Sequence, residues 1–126
     1  MNGGYKMIKI IDDNIDDFLN FLESDYCAKE PFYIHICEGC DTIEDPNGKV
    51  AFGMFNRFTN HCYVAGELEE EQLLKTIGHE YKHYIQKCRG QEFNEENAER
   101  YAELMYNKFK CEIRDIICDC DECKFC

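Results

Sequence analysis

The stretch Glu69-Glu70-Glu71-Gln72-Leu73-Leu74-Lys75-Thr76-Ile77-Gly78-His79-Glu80-Tyr81-Lys82-His83-Tyr84-Ile85-Gln86-Lys87-Cys88 decides how this chain is read. Leu74, Ile77, Tyr81, Tyr84 and Cys88 step by three and four, which predicts a helix over about 69–88 with one apolar stripe. Gly90 suits its C-terminal stop. Within the helix stands His79-Glu80-Tyr81-Lys82-His83. Histidines at i and i+4 lie one above the other on a helix face, so both imidazoles can reach one metal ion. Glu80 sits about 100° around from His79. From there a carboxylate can reach a water on the ion without displacing a ligand, and zinc lowers the pKa of such a water toward about 7. His79 and His83 point away from the apolar stripe and share their face with Thr76 and Gln86. That pattern is expected of a helix with one side in a core and the other lining a wet cleft. The blander reading is a surface helix that happens to carry two histidines.

A hydrolytic zinc site wants three protein ligands and an open position. The next helix, capped by Asn94 with Glu95 and Glu96 in its first turn, offers carboxylates. Its stripe is Ala98, Ala102, Met105 and Phe109, with Tyr101 beside it, and it should reach about 110 or 117. Glu95 extends that stripe, and a carboxylate on an apolar face is costly unless something compensates it. Glu99, one turn on, can hydrogen-bond a ligand histidine. Glu95 can also be read as a first-turn acid stabilised by the helix dipole. A simple hairpin of the two helices brings Glu99 nearer the level of His83, so spacing alone leaves both registers open.

His79-Glu80-Tyr81-Lys82-His83, then Glu95-x-x-Ala98-Glu99-x-Tyr101-Ala102-x-x-Met105, resembles the gluzincin pattern of small bacterial and phage metallopeptidases of the ImmA/IrrE type. The resemblance covers about residues 50–106. It implies that His79, His83 and Glu95 hold zinc, that Glu80 is the general base, and that Glu99 is the hydrogen-bond partner of a ligand histidine. It favours Glu95 over Glu99, because only that register places Ala98, Tyr101 and Ala102. It also implies that the strand before the helix is the edge that holds an extended substrate. Two departures from the pattern are Glu99 in place of Asp or Asn, and a short gap after His83 that demands a tight turn.

Outward from this region, Lys6–Ile11 reads as a strand and 13–26 as an amphipathic helix carrying Ile15, Phe18, Leu19, Leu22 and Tyr26. Phe32–Cys37 is a strand, and Asp45-Pro46-Asn47-Gly48 is a turn. Val50–Phe55 and Cys62–Ala65 form a hairpin around a polar break at Asn56–Asn60. The order β-α-β-β-β-α-α predicts an α+β fold with a small, mostly antiparallel sheet and helices on one side. Residues 1–117 form a single metallopeptidase-like domain, and 118–126 a cysteine-rich tail.

The formal net charge of -12 argues against nucleic acid as a partner. No run approaches a bilayer span and no secretory signal is visible, so a cytoplasmic protein with no membrane partner is expected; the peptide or protein substrate expected as its partner follows from the zinc-site reading. Ten cysteines are many for 126 residues. Cys118, Cys120, Cys123 and Cys126, with Cys111 upstream and the separate pair Cys37 and Cys40, have spacings that suit a second, structural zinc. An iron–sulfur cluster, or tail thiols that are free or disulfide-bonded, are the alternatives. Cys27, Cys62 and Cys88 read as small buried hydrophobes. A cysteine protease is the weaker nucleophilic reading, because no thiol has a recognisable activating neighbourhood. Zinc-dependent peptide hydrolysis is therefore expected, with an inactive metal-stabilised binding or regulatory module as the alternative. His61, Tyr63 and Tyr101 are unranked candidates for stabilising the oxyanion.

Overall fold

A computed structural model of the chain describes residues 5–7, 13–26 and 29–113. Its elements are β1 (Tyr5–Met7), α1 (Asp13–Asp25), β2 (Phe32–Cys37), β3 (Ile43–Glu44), β4 (Val50–Ala51), β5 (Gly53–Asn56), β6 (His61–Ala65), α2 (Glu70–Cys88) and α3 (Glu95–Ile113). The α+β class is the one expected. The ends of the first predicted strand (8–11) and of the last predicted helix (114–117) lie outside the described residues.

Side chains alternate across β2, so Phe32, Ile34 and Ile36 are buried while Tyr33, His35 and Cys37 face outward. Cys62 and Val64 of β6 bury on the same side. They join Ile15, Phe18, Leu19 and Leu22 of α1, the stripe of α2, and Met105 and Phe109 of α3 in one core. Phe32 packs edge-on against Tyr81 at 5.1 Å, and Phe18 against Phe109 at 5.1 Å. The helices thus lie on one face of the sheet, as their stripes require.

The strand order is β1-β2-β6-β5, and a separate two-stranded ribbon pairs β3 with β4. β1 pairs β2 and β2 pairs β6 in parallel, and only β5 pairs β6 antiparallel. The main sheet is therefore mixed rather than mostly antiparallel. The predicted hairpin is present from Gly53 to Ala65, but Val50–Phe55 is not one strand. It breaks at Phe52, and Val50–Ala51 turns back on Ile43–Glu44 instead. The turn between β3 and β4 follows from Asp45, whose Oδ1 accepts from the backbone N–H of Asn47 and of Lys49, with Gly48 at φ 86°. Among the described residues, the sheet edge beside α2 is β5. β6, the strand next before α2 in the chain, lies inside the sheet and cannot be the edge that the resemblance implied.

Candidate metal centre

α2 and α3 run antiparallel and close together. A Cβ at buried Gly78 would lie 3.3 Å from the Cα of Ala102, so a larger residue there would separate the helices. From this contact the pairs spread both ways, Lys75 to Glu103 toward one end and His79 and His83 to Glu95 toward the other. The tight turn that the short gap demands is present. Gly90, at φ 69°, donates its N–H to Lys87, and Gln91 donates to Gln86, the double closure of a Schellman motif. Asn94 caps α3, its Oδ1 accepting from the backbone N–H of Asn97 at 2.9 Å.

The result is convergence. Nε2 of His79 lies 2.9 Å from Oε1 of Glu95, and Nε2 of His83 lies 3.0 Å from Oε2. Among the described residues these three form a group whose donor atoms all lie within 4.8 Å of one another. Tetrahedral ligands about 2.0–2.1 Å from an ion stand about 3.3 Å apart, so the set fits zinc with little adjustment. Its chemistry fits as well, with two imidazole nitrogens, one carboxylate and room for a fourth position. Nδ1 of His79 lies 2.7 Å from Oε1 of Glu99. A carboxylate can only accept there, so Nδ1 carries the hydrogen, and an ion seated between Nε2 and Glu95 would take the lone pair of Nε2. The alternative register, with Glu99 as the ligand and Glu95 outside, does not describe this geometry.

One expectation holds in part and one needs revision. The polar side of α2 does line a cleft, but little of it is open: Thr76, Glu80, His83 and Gln86 are buried and His79 is half-buried. β5 and α3 cover that side, which periodicity within α2 cannot reveal. Glu95, by contrast, is exposed. Its first-turn position lies beyond the point where α3 meets the core, so burial is not what makes a cation favourable there. The pairing with two imidazoles does. Burial works against ionisation of Glu95, but the charges and hydrogen bonds of His83 and His79 outweigh it and hold the carboxyl below its usual range.

Glu80 is only 6% exposed and lines a cleft of about 510 Å³ together with His79, His83 and Glu95. Burial pushes its carboxyl up to about 7, His79 opposes this, and Glu95 and Glu99 add to it. β5 forms one wall. Gly53 lets that wall come close, since a Cβ there would stand 2.8 Å from Cγ2 of Thr76 and 3.4 Å from Cγ of Glu80. An isolated glycine in a strand pattern is the usual signal of such an approach. Phe52, Met54, Phe55 and Phe93 supply apolar lining, and the Phe93 ring stacks on His83 at 4.5 Å. Nothing in the sequence pattern singled out Phe93.

His61, Tyr63 and Tyr101 do not line the cleft. His61 and Tyr63 stand on the outward sheet face with His35, whose Nε2 is 2.7 Å from Nδ1 of His61. The Tyr101 hydroxyl donates to Asp25 at 3.0 Å, and burial, then Asp25, raises its pKa. Cys37 and Cys40 are free thiols, and among the described residues no third donor joins them. Cys62 is fully buried, and Cys88, also free, is partly buried. Cys111 is disulfide-bonded. Cys27, Cys118, Cys120, Cys123 and Cys126 lie outside the described residues. No described helix is long and apolar enough to cross a membrane. Comparisons with protein-family models, with curated proteins and with solved structures found no match to this chain.

Proposed function

We propose that this chain is a zinc-dependent metallopeptidase of the gluzincin type, with His79, His83 and Glu95 as ligands and Glu80 as general base. The observation that carries the proposal is the convergence of the three ligand side chains beside a buried carboxylate, in a cleft walled by a sheet edge. A zinc ion held by these three residues would supply a water of lowered pKa and polarise a substrate carbonyl. Glu80 touches neither ligand role. Its place in the cleft suits it to take a proton from that water and to pass one to the leaving amine. A carboxyl kept near neutrality by burial is matched to such two-way transfer, and a cation beside it lowers the value again. The β5 edge can hold an extended peptide by strand addition, with Gly53 leaving the backbone close to Glu80.

The test is a broad peptide library incubated with zinc-loaded wild type and with Glu80→Gln. The variant should retain zinc and fold while cleavage falls by roughly 10²–10⁴. Equal cleavage by both proteins would remove Glu80 from the mechanism. Zinc bound by a wild type that cleaves nothing would favour a metal-stabilised binding module instead.

A further inference from the structure

We infer that Gln86 is the positioning residue of this centre: one side-chain amide selects the ligand nitrogen of His83 and ties down the start of the helix that carries Glu95. The inference rests on the metal-centre reading.

Gln86 is 1% exposed, and its amide lies between three groups. Its Oε1 accepts the backbone N–H of Asn94 at 3.2 Å and lies 2.9 Å from Nδ1 of His83. Its Nε2 donates to the carbonyl of Asn94 at 3.2 Å. The amide has no freedom to flip. A backbone N–H only donates and a carbonyl only accepts, so the reversed amide would set donor against donor and oxygen against oxygen. The oxygen therefore faces His83, and Nδ1 of that ring carries the hydrogen. A neutral imidazole protonated at Nδ1 keeps its lone pair on Nε2. That is the nitrogen 3.0 Å from Glu95.

The two bonds to Asn94 act on the other ligand. Asn94 caps α3 and immediately precedes Glu95. Gln86 also closes the end of α2 through its own carbonyl, which accepts from Gln91. One residue thus joins the last turn of α2, the connecting loop, one ligand histidine and the ligand carboxylate of the next helix. All three contacts together need an acceptor and a donor on one planar group. Glutamate keeps the two acceptor contacts, to His83 and the Asn94 N–H, and loses only the one to the Asn94 carbonyl, whereas methionine makes none of them well. His79 has a separate partner in Glu99, so the two histidines are set independently.

The experiment measures Zn2+ affinity by competition with a chromophoric chelator, with helix content followed by circular dichroism. Gln86→Met keeps the volume and removes both functions, and should lose about 10–100-fold in affinity. Gln86→Glu restores the acceptor toward His83 and the Asn94 N–H, and should recover most of that loss. Unchanged affinity in Gln86→Met, or equal losses in both variants, overturns the assignment. Should Gln86→Met fail to fold, nitrogen NMR of the zinc-loaded wild type decides. His83 protonated at Nδ1 supports the assignment, and His83 unprotonated there overturns it. A wild type that binds no zinc overturns the centre itself and this assignment with it, which separates that failure from a failure of Gln86 alone.

Discussion

At Glu95 one exposed carboxylate meets two imidazole nitrogens that come from a neighbouring helix, at 2.9 and 3.0 Å. Glu99 stands a turn further on and reaches the back of His79 instead. Glu95→Gln should therefore weaken zinc binding more than Glu99→Gln, for which about 10–100-fold is the expected loss. Zinc titration of both variants checks the order, and a site emptied by Glu99→Gln but filled in Glu95→Gln would reverse the assignment. Gly53 carries a second prediction at this scale. A Cβ there meets Thr76 and approaches Glu80, so Gly53→Ala must shift β5 or the helix beneath it. Overpacking of this kind costs typically about 1–3 kcal/mol. Gly53→Ala should lower thermal stability and reduce cleavage while zinc stays bound, because none of the three proposed ligands is on β5.

The elements that carry the site were the most legible parts of the chain. The stripes of α2 and α3 were read from period, and Leu74, Ile77, Tyr81, Tyr84, Ala98, Ala102, Met105 and Phe109 are all buried. Gly90 was read as the stop of α2, and its φ of 69° shows why a glycine stands there. Gly90→Ala should cost about 1 kcal/mol, the strain of a Cβ in the left-handed region. For a chain of this size that is roughly 2–5 °C in melting temperature, and calorimetry would show it. Pairing was legible only for the β5–β6 hairpin. An apolar run says that a strand exists, but its neighbours are set by residues far away in sequence. The parallel match of β2 with β6, the switch of Val50–Ala51 to another partner, and β5 as the edge were all hidden for this reason. The cover over the polar side of α2 was hidden likewise. Gln86 left a trace, since it lies three residues after His83 on the same face, but its contacts depend on where Asn94 returns.

Across the whole molecule, polar ties far from the cleft close the structure around it. Tyr81 and Tyr84 reach from α2 to the backbone carbonyls of Tyr26 and Glu30. Lys87 joins the carboxylate of Glu30 and the side chain of Asn60, which connects the end of α2 with the turn between β5 and β6. The hydrogen bond from Lys87, then that from Asn60, lowers the Glu30 pKa. A depressed carboxylate stabilises the fold above its unfolded pKa of about 4.3, and that contribution is lost as pH falls through the lower folded value. Glu30 is partly exposed, so its share should stay below about 1 kcal/mol. Glu30→Gln should therefore be less stable than wild type at neutral pH and match it in acid, as denaturant titrations at several pH values would show. The centre itself is tested most directly by elemental analysis of purified wild type beside the double variant His79→Ala/His83→Ala. The account predicts zinc at this site in the wild type and about one equivalent less in the variant. Equal zinc content in the two proteins would contradict it.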